Sequence, residues 1–546
     1  MRALRIEAAP FEFTDILDVK IQKGVNTLGS AWIKGVISED MEDKYVQISL
    51  SDTPVEITVA DFNGKRQVIF QGVLENLNVS SVNGLKLMEL SVMPYSKLLD
   101  ITPGIRVFQN ENLAFNEMIS AVLAPFEESA AILHCGDGQP IGQMFVQYQE
   151  TAWAFIMRMA SMFEDVVVAD DTRKGAKLHF GFICKNTHNP QTIEPISYDM
   201  KKDVMNCLRK TQFIDKGELP TADQSLNEGN FVYFIVKDRE VRELGESVVF
   251  KGQQLYITKI ESVMEGGELI HLYTLKGRGG IWVEPYRNFA VVGASLSAQV
   301  SAVTGSHIKM RLPTAHTNDI DTSKWHPFST VYSSPNGTGW YAMPEKGDSL
   351  RLYFPTEIEN DGYTISAVHT YGAPQTTGLT STAARTTSTQ SAGIPGSNET
   401  PVPAASEEEA PEEHALELFD VAQFNSIVNS LGNEDIRDRA SSYSDDAAEI
   451  NPDFKFLQNS DGKFVMLTPS AIMMASEGGI ILIEDGQGIT ICSNNNVHIE
   501  GKDITVASKG KIAVIGDDEV TVQQDSAAAK LSGGFVTFDA AKIKTV

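Results

Sequence analysis

The chain has 546 residues, 42% of them hydrophobic, and a formal net charge of −27 at pH 7. This acidic balance excludes a general nucleic-acid binder, which needs clustered Lys and Arg side chains to neutralise phosphates, so nucleic acid is not an expected partner. The length and the ordinary apolar content predict a globular protein of three or four domains.

The sequence carries no recognisable targeting or membrane-spanning signal. The N-terminal stretch MRALRIEAAPFEF lacks the apolar core and cleavage site of a secretory signal. No apolar run approaches the roughly 18–20 residues of a membrane span. We therefore expect synthesis and assembly in the cytoplasm. The four cysteines have no CxxC spacing and are interpreted as buried thiols rather than as a disulfide framework or a zinc site.

Residues 1–287 are predicted to be an α+β region dominated by small sheets or barrels. Apolar and polar residues alternate, with the period of a half-buried strand, in KYVQISLSD (44–52), PVEITVADFNGKRQVIFQGVLENLNV (54–79) and LKLMELSVMPY (85–95). Asn63-Gly64 lies between two such runs, where a hairpin turn is expected.

Two stretches of this region have the period of a helix instead. The apolar face within 112–124 consists of Phe115, Met118, Ile119, Val122 and Leu123. Pro125 then ends this helix. The apolar face within 151–163 consists of Phe155, Ile156, Met159 and Phe163. Thr151 is placed to cap the N-terminus of the second helix.

Residues 288–373 are predicted to be a small OB-fold barrel. Four β-type runs are separated by Gly, Pro and Asn or Asp turns: FAVVGASLSAQVSAV (289–303), HIKMRLPT (307–314), SLRLYFP (349–355) and GYTISAVH (362–369). About five short strands in roughly 80 residues are typical of such a barrel.

Residues 374–450 are interpreted as a low-complexity acidic linker. The segment begins Thr- and Ser-rich and then becomes acidic, with 13 Asp and Glu against two Arg in 401–450. It buries too little apolar surface to offset its conformational entropy, so it is predicted to be disordered. One amphipathic helix is expected near 413–431, and its apolar face would consist of Leu416, Val421, Phe424, Val428 and Leu431.

Residues 451–546 contain the most regular pattern of the sequence. Five couplets, each made of two aliphatic residues with one residue between them, recur with their first members 8, 7, 8 and 8 residues apart. The couplets are Ile489/Ile491, Val497/Ile499, Ile504/Val506, Ile512/Val514 and Val520/Val522. So short a repeat predicts a β-helix of very short strands and turns. Its outward positions would be Thr490, His498, Thr505, Ala513 and Thr521.

A single copy of this β-helix is unable to bury its own couplets. Two aliphatic side chains per repeat form a stripe with nothing opposite it, and the strand edges are unpaired. Three copies wound around one axis supply both the opposing stripes and the pairing edges. The pattern therefore predicts an obligate homotrimer with cyclic symmetry, in which the C-terminal region is an intertwined triple-stranded β-helix.

The order of these parts resembles the trimeric spike family of contractile injection machines, which includes the VgrG proteins of type VI secretion and the hub-plus-needle proteins of contractile phage tails. QYQETAWAFIMRMAS (147–161) is similar to a segment of that family at Gln147, Tyr148, Glu150, Thr151, Phe155 and Arg158. WYAMPEKGDSLRLYFPTEIENDGYTISAVH (340–369) resembles the family's OB-barrel hairpin, with Pro344-x-x-Gly347-Asp348 leading into a strand. The couplets resemble the family's needle.

The resemblance implies a mainly β, multidomain fold. Its parts would be an α+β tail-hub domain with two small β-barrels (1–287), the OB-fold barrel (288–373), the disordered linker (374–450) and the β-helical needle (451–546). The implied function is structural: the central spike and baseplate hub of a phage tail-like contractile particle, which joins the inner tube to the tip and punctures the target envelope when the sheath contracts.

The resemblance also implies a set of partners. These are two further copies of the chain, inner tube and baseplate proteins, a separate PAAR-like tip protein and effector cargo, while the target membrane is contacted mechanically. A separate tip protein is expected because the last residues, GGFVTFDAAKIKTV, contain no His for a metal site at the needle tip.

No pattern in the sequence indicates catalysis, a cofactor or a metal, so the protein is not expected to be an enzyme. KGRGG (276–280) precedes a β-type run rather than the helix that a phosphate loop needs. Ser247 lacks the flanking pattern of a nucleophile elbow. His498 stands alone on the outer needle face, and EEHALE (412–417) is not a zinc-binding HExxH motif.

Gln147, Tyr148, Glu150 and Arg158 are interpreted as structural fasteners. Glu150 lies just ahead of the second helix, where the positive end of the helix dipole favours a carboxylate. Arg158 is placed to pair with a carboxylate or with carbonyls at a strand end.

Two other functions stay open at this point. A phage-tail-associated cell-wall hydrolase would need clustered acidic or aromatic residues on the outer needle face, where the pattern places mostly Thr, Ala and His. A receptor-binding β-helical fibre would also be trimeric, but it would not need the first two-thirds of the chain.

Overall fold

The computed structural model describes residues 5–48, 52–60, 66–216, 227–317, 321, 323–330, 332–333, 339–365, 421–448, 454–458, 462–524, 527–532 and 535–539. Within these ranges the fold is mainly β, as the sequence predicts. The strands form several sheets, and none of them closes into a barrel within the described ranges.

The first half of the chain alternates long strands with four α-helices among its described residues. In chain order the elements are β1 (Arg5–Ala9), β2 (Asp15–Gly24), β3 (Thr27–Ile37), α1 (Glu42–Ile48), β4 (Pro54–Ala60), β5 (Arg66–Val82), β6 (Leu85–Pro94), β7 (Gly104–Phe108), α2 (Phe115–Leu123), β8 (Ala130–Leu133), β9 (Phe145–Glu150), α3 (Ala152–Ser161), β10 (Val167–Ala169), β11 (Lys177–Phe180), β12 (Gln191–Thr192), β13 (Ser197–Lys202), α4 (Val204–Lys216), β14 (Val232–Asp238), β15 (Ser247–Phe250), β16 (Gln253–Glu265) and β17 (Glu268–Lys276).

The second half contains two α-helices and fifteen strands in its described residues. These are β18 (Ser295–Thr304), β19 (His307–Arg311), β20 (His326–Pro327), β21 (Tyr332–Ser333), β22 (Gly339–Tyr341), β23 (Ser349–Tyr353), β24 (Tyr363–Ile365), α5 (Val421–Asn429), α6 (Glu434–Ala448), β25 (Lys455–Gln458), β26 (Phe464–Leu467), β27 (Ala471–Ser476), β28 (Gly479–Glu484), β29 (Gly488–Ser493), β30 (Val520–Gln524), β31 (Ala527–Ser532) and β32 (Phe535–Asp539).

One sheet, called the large sheet below, occupies the place where two small barrels are predicted. Its described strands follow the order β1-β4-β5-β6-β3-β2-β16-β17-β14-β13, and β15 joins β16 to β12. Strands β4 and β5 pair antiparallel, as expected of a hairpin. The predicted Asn63-Gly64 turn between them lies outside the described residues. The pairing of β2 with β16 makes the two parts of the region continuous.

The first predicted strand, KYVQISLSD, is wrong over 44–48, because these residues belong to helix α1. Tyr45 accounts for this difference. Its ring is 1% exposed, contacts the ring of Phe11 at a centroid distance of 5.3 Å, and its hydroxyl accepts a hydrogen bond from the backbone N–H of Glu12 at 2.9 Å. Val46 faces solvent. One anchored aromatic residue, rather than an alternating face, therefore sets the local structure.

Both helices predicted for this half are confirmed. Helix α2 buries all five residues of the predicted apolar face. Helix α3 begins after Thr151, whose hydroxyl accepts a hydrogen bond from the Ala154 N–H at 3.1 Å, as a cap does. The two helices share an apolar core with the small sheet β10-β11-β8 and the ribbon β7–β9.

The region predicted as an OB-fold barrel contains a five-stranded sheet, called the central sheet below, in the order β20-β19-β18-β23-β24. The four predicted β-type runs all contribute strands. The two outer strands approach each other at a single isolated bridge between Phe328 and Thr364. The sheet is curved toward closure, and a complete barrel stays a prediction.

The predicted linker is only partly as expected. Residues 374–420, including Leu416, lie outside the described residues. The expected amphipathic helix is present as α5, which buries Phe424, Ile427 and Val428. Helix α6 was not expected, because its acidic sequence lies in a segment predicted to be disordered up to residue 450.

Strands β21-β22-β25-β26-β27-β28-β29 form an antiparallel sheet, called the distal sheet below. Helices α5 and α6 cover one face of it. Residues 455–493 lie in the region predicted as the β-helical needle (451–546), ahead of all but the first couplet, and here the chain forms an antiparallel sheet of its own instead. Residues 494–519, which are all described, contain no strand. Strands β30, β31 and β32 form a small terminal sheet.

Two smaller expectations have mixed outcomes. Cys207 is buried, but Cys184 is exposed, so the interpretation of all four cysteines as buried thiols is wrong for Cys184. No helix among the described residues combines the length and the apolar character needed to cross a membrane.

Candidate functional site

Arg158 is the centre of a buried polar junction between helix α3 and the central sheet. Its Nε and Nη2 donate to the Glu150 carboxylate at 3.0–3.3 Å, and Nη1 donates to Oε1 of Glu359 at 2.8 Å. Nη2 also donates to the Val146 carbonyl at 2.9 Å. Both partners expected for Arg158, a carboxylate and a strand-end carbonyl, are therefore present. Glu359 lies 201 residues along the chain, so the guanidinium joins two distant segments.

A β-bulge directs Glu150 toward Arg158. Gly104 pairs with Glu150 and Ile105 pairs with Tyr148, so Gln149 is an extra residue on β9. Gln149 has a positive φ of 48°, which few residues other than glycine adopt. The Gln147 side chain spans the bulge and donates to the Glu150 carbonyl at 2.9 Å. A bulge re-aims the end of a strand, and here it brings a carboxylate to the first turn of α3.

The remaining polar residues of the segment hold its ends. Thr151 donates its hydroxyl proton to Asp100 Oδ1 at 2.8 Å while it caps α3. The Tyr148 carbonyl accepts a hydrogen bond from Nδ2 of Asn288 at 2.9 Å. The contacts of Gln147, Glu150, Thr151 and Arg158 agree with the interpretation as fasteners, whereas the Tyr148 contact involves only its backbone.

Burial decides the electrostatics of the junction, which has one cation and two carboxylates. Burial raises the pKa of Glu150 above its ordinary value, although Arg158 acts in the opposite direction and Glu359 adds to the rise. Burial opposes the charge of Arg158, but the attraction of Glu359 and Glu150 outweighs it and raises the pKa of Arg158. A buried pair of this kind is costly to break, because removal of one partner leaves an uncompensated charge.

Backbone contacts run beside the junction. Val107 on β7 donates to the Thr314 carbonyl at 2.9 Å, and His316 donates back to the Val107 carbonyl at 2.8 Å. Val107 and Val146 of the ribbon lie in the same apolar core as Leu296 and Leu352 of the central sheet. The ribbon β7–β9 thus contacts the central sheet together with Arg158 of α3.

The couplets form the second candidate site, and within one chain they are not buried. Every member except Val520 is at least 53% exposed. The first couplet lies in β29 and the last in β30, whereas the three between them lie in 494–519, where the described residues contain no strand. The backbone of this stretch therefore has no ladder partner inside the described chain.

The same apolar character continues onto the uncovered face of the distal sheet. Side chains on this face alternate with those that pack on α5 and α6. The aliphatic face, as we call this surface, consists of Leu457, Val465, Leu467, Ile472, Met474, Ile481, Ile483, Ile489 and Ile491. The strand pairs place these residues side by side, for example Met474 opposite Ile481 and Ile481 opposite Ile491. A groove of about 600 Å³ runs along this sheet.

Residues 42–176 match the family model of the phage tail baseplate hub (GPD). The predicted resemblance to baseplate hub and spike proteins is confirmed. The match includes α2, α3 and the junction segment from Gln147 to Arg158. Glu359 and the couplets lie outside the matched residues. No curated protein matches the sequence.

Comparison with solved structures finds similarities to tail and type VI secretion proteins. An E. coli protein, c3393, described as a type VI secretion component with structural similarity to the T4 tail proteins gp27 and gp5, is 11% identical, with 66% of this chain and 99% of that chain covered and a TM-score of 0.44. The Francisella PdpA–VgrG complex contains a chain that is 9% identical, with 90% and 88% covered and a TM-score of 0.45. A 43 kDa prophage tail protein from Shewanella oneidensis is 10% identical, with 52% and 99% covered and a TM-score of 0.38.

Among the described residues of the first half lies a serine–histidine pair that sequence reasoning did not find. Ser262 Oγ lies 2.7 Å from Nδ1 of His271, on neighbouring strands β16 and β17. Burial lowers the pKa of His271 to about 4. Ser262 is 4% exposed and His271 2%, so neither group reaches solvent. The pair is a cross-strand contact inside the large sheet and offers no accessible nucleophile.

The other weak motifs do not converge on a site either. KGRGG ends in a short 3-10 turn, Arg278–Gly280, and residues 281–288 after it form neither a helix nor the predicted strand. His498 lies 3.3 Å from Glu500 on the surface. Among the residues that the structure describes, no group of three or more His, Cys, Asp or Glu side chains is arranged to hold a metal ion.

Proposed function

We propose that the protein is the trimeric central spike and hub of a contractile injection machine. The hub match over 42–176 supports a place in a tail-like particle. In this proposal the spike joins the inner tube to the tip and punctures the target envelope when the sheath contracts. The domains would be the hub (1–287), the OB-type collar (288–373), the linker (374–450) and the needle (451–546).

The observation that carries the proposal is the exposure of the couplets. Burying one aliphatic side chain of this size stabilises a protein by about 1.5–3 kcal/mol, so a regular series of exposed ones indicates a missing partner. The absence of a strand ladder in the described residues 495–519 has the same implication, because backbone N–H and C=O groups without ladder partners can pair with other chains.

Two further copies of the same chain satisfy both demands. Around a threefold axis, each stripe of couplets meets two identical stripes, and each short strand pairs with a neighbour. The aliphatic face of the distal sheet would turn toward the same axis, because Ile489 and Ile491 belong both to this face and to the first couplet. Its other face is already covered by α5 and α6. The chain is therefore apolar on the side that would face its sister copies.

The proposed function is mechanical rather than enzymatic. Inner tube and baseplate proteins would contact the hub, and a separate PAAR-like protein would cap the needle. Effector cargo would travel with the spike, and the target membrane would be contacted mechanically. The chain would be made in the cytoplasm and become part of the particle there.

The test is a matched pair of substitutions measured by light scattering. Wild-type protein is expected at the mass of three chains. Ile504→Asp places three carboxylates at the axis, where burial of unpaired charge is prohibitive, and should abolish assembly. Thr505→Asp, one residue further on at an outward position, should leave the mass at three chains.

Two outcomes would contradict the proposal. One is a wild-type protein that runs as a single chain, and the other is an Ile504→Asp variant that still assembles like Thr505→Asp. Clearing of peptidoglycan by the purified wild-type protein would favour the hydrolase alternative instead.

A further inference from the structure

The distal sheet is joined to the central sheet in two ways, and only one of them follows the chain. The covalent connection leaves the central sheet after Ile365 and re-enters the described residues at Val421, with 55 residues between them. A fully extended segment of that length reaches up to about 180 Å. Its length alone therefore does not fix where the distal sheet lies.

The second join is the addition of a strand. The hairpin β21–β22 is an excursion from the chain between β20 and β23 of the central sheet. Yet β22 pairs antiparallel with β25, the first strand beyond α6: Gly339 pairs with Gln458, Trp340 with Leu457 and Tyr341 with Phe456. The hairpin β21–β22 thereby becomes part of the distal sheet, in which β25 would otherwise be an unpaired edge strand.

A shared apolar core lies beside this strand pair. Met343, two residues beyond β22, is 2% exposed and belongs to one continuous core with Leu350 and Leu352 of the central sheet. The same core contains Phe424 of α5 and Phe456 of β25. Side chains from both sheets and from the helical pair are thus buried against one another, as in the interior of a single domain.

An ion pair reinforces the join at its surface. Lys455 Nζ at the start of β25 lies 3.5 Å from Oε1 of Glu345, just beyond Met343. Glu345 is exposed, so this pair contributes little to stability. The pair nevertheless places Glu345, four residues beyond the end of β22, still beside the start of β25.

We propose that this strand addition and shared core, rather than the covalent connection through 366–420, hold the needle region on the central sheet. The inference deepens the proposed spike and rests on it, since it names the surface through which thrust passes. A needle fixed by buried contacts receives force directly from the collar. If only a connection that can extend to about 180 Å held the needle, the needle would be pushed back until other contacts stopped it, and it would receive no force from the collar before then.

The experiment uses the full chain. A recognition sequence for a site-specific protease is inserted between Gln390 and Ser391, and the folded protein is cleaved. We expect the two pieces to elute together in equal amounts at the mass of the uncleaved particle, and to separate only in denaturant. Elution of the C-terminal piece away from the rest in native buffer would overturn the inference.

A pair of variants tests whether the shared core is responsible. Met343→Asp buries a carboxylate where the two sheets meet, and after cleavage the pieces should separate. Met343→Ala is a milder form for use if the aspartate variant does not fold, and it should lower the urea concentration at which the pieces part. Lys346→Asp, an exposed change three residues further on, should leave the cleaved pieces together. Three outcomes would contradict the assignment: separation of the Lys346→Asp pieces, retention of the pieces by a folded Met343→Asp variant, or Met343→Ala pieces that part at the wild-type urea concentration.

The mass before cleavage distinguishes this inference from the proposed function. Three-chain wild-type protein that loses a C-terminal particle on cleavage would refute the inference and leave the assembly intact. A single-chain protein whose cleaved pieces stay together would refute the trimeric spike and support the join.

Discussion

The junction around Arg158 and the run of couplets differ in whether one chain alone supplies the partners of their side chains. At the junction, a buried cation finds two carboxylates and a carbonyl inside one chain. In the couplets, nine of ten aliphatic side chains are largely exposed and the backbone between β29 and β30 has no ladder partner among the described residues. The polar groups of the first region find their partners within one chain, whereas the aliphatic side chains of the second are not buried by it. The difference shows which part of a chain can be understood alone.

The largest effect is expected at the junction. Arg158→Met leaves two buried carboxylates without their cation and should lower the free energy of unfolding by about 3–5 kcal/mol. Because every partner lies in the same chain, the loss should be the same at low and high protein concentration. Urea unfolding at two concentrations, followed by tryptophan fluorescence, measures both quantities.

A triple variant provides the control for that change. Arg158→Met combined with Glu150→Leu and Glu359→Leu removes the charges together and should recover much of the loss, since apolar replacement of a whole buried ion group is often neutral. A single variant as stable as wild type would mean that the junction is not closed within the chain as described.

A second change tests whether every buried charge of the first half is as well paired as the charges of the junction. Burial raises the pKa of Asp171 to about 7, although Lys23 acts in the opposite direction and Asp170 adds to the rise. A carboxyl group whose pKa is raised by folding contributes stability that is present below about pH 4 and is lost as the pH rises through about 7. Asp171→Asn removes this loss, so its gain in the free energy of unfolding relative to wild type should grow as the pH rises from 5 to 8, from about 1–2 to about 4 kcal/mol.

The neighbouring carboxyl group serves as the matched control. Burial would raise the pKa of Asp170, but hydrogen bonds from Thr172 outweigh it and lower the pKa below its ordinary value. Its stabilising contribution is therefore lost only as the pH falls below the usual range. Asp170→Asn should lower the melting temperature by a similar amount at pH 5, 6, 7 and 8. A flat difference for Asp171→Asn across these values would argue against the raised pKa.

Asn494 lies at the start of the couplet stretch and marks its boundary with the part of the distal region that packs within one chain. Its side chain accepts a hydrogen bond from the Gly432 N–H at 3.1 Å and donates to the Ser430 carbonyl at 2.9 Å, which ties the end of α5 to the start of the couplet stretch. Asn494→Ala should destabilise this contact by about 1–2 kcal/mol. Asn495→Ala is the control. Hydrogen exchange of the α5 amides, faster in the first variant only, is the measurement.

The smallest effect is expected from the cap of α3. Thr151→Ala removes the acceptor for the Ala154 N–H and the donor to Asp100, and should cost about 1 kcal/mol in thermal unfolding. Thr151→Ser keeps the hydroxyl and should stay close to wild type. Equal melting temperatures for the alanine and serine variants would show that the cap is not needed.

The sequence predicts those features whose cause lies in neighbouring residues of the chain. The face of α2, the cap of α3 and the couplets follow from spacing in the sequence. Glu359 was not found, since nothing near it indicates that it meets Arg158 201 residues away. Helix α6 was missed because Ile436 and Ala440 are buried by the distal sheet in spite of their acidic neighbours. The pairing of β22 with β25 likewise has no local signature.

Strand β29 has a consequence for how three copies of the proposed spike would come together. Three chains that pair along a series of similar repeats can align in several registers, and a shift by one repeat still pairs aliphatic side chains with each other. Ile489 and Ile491 are already held in place by β28 of their own chain before any sister copy arrives. The first couplet of each chain would thus have a fixed register, and pairing of the three chains would proceed from β29 toward β30.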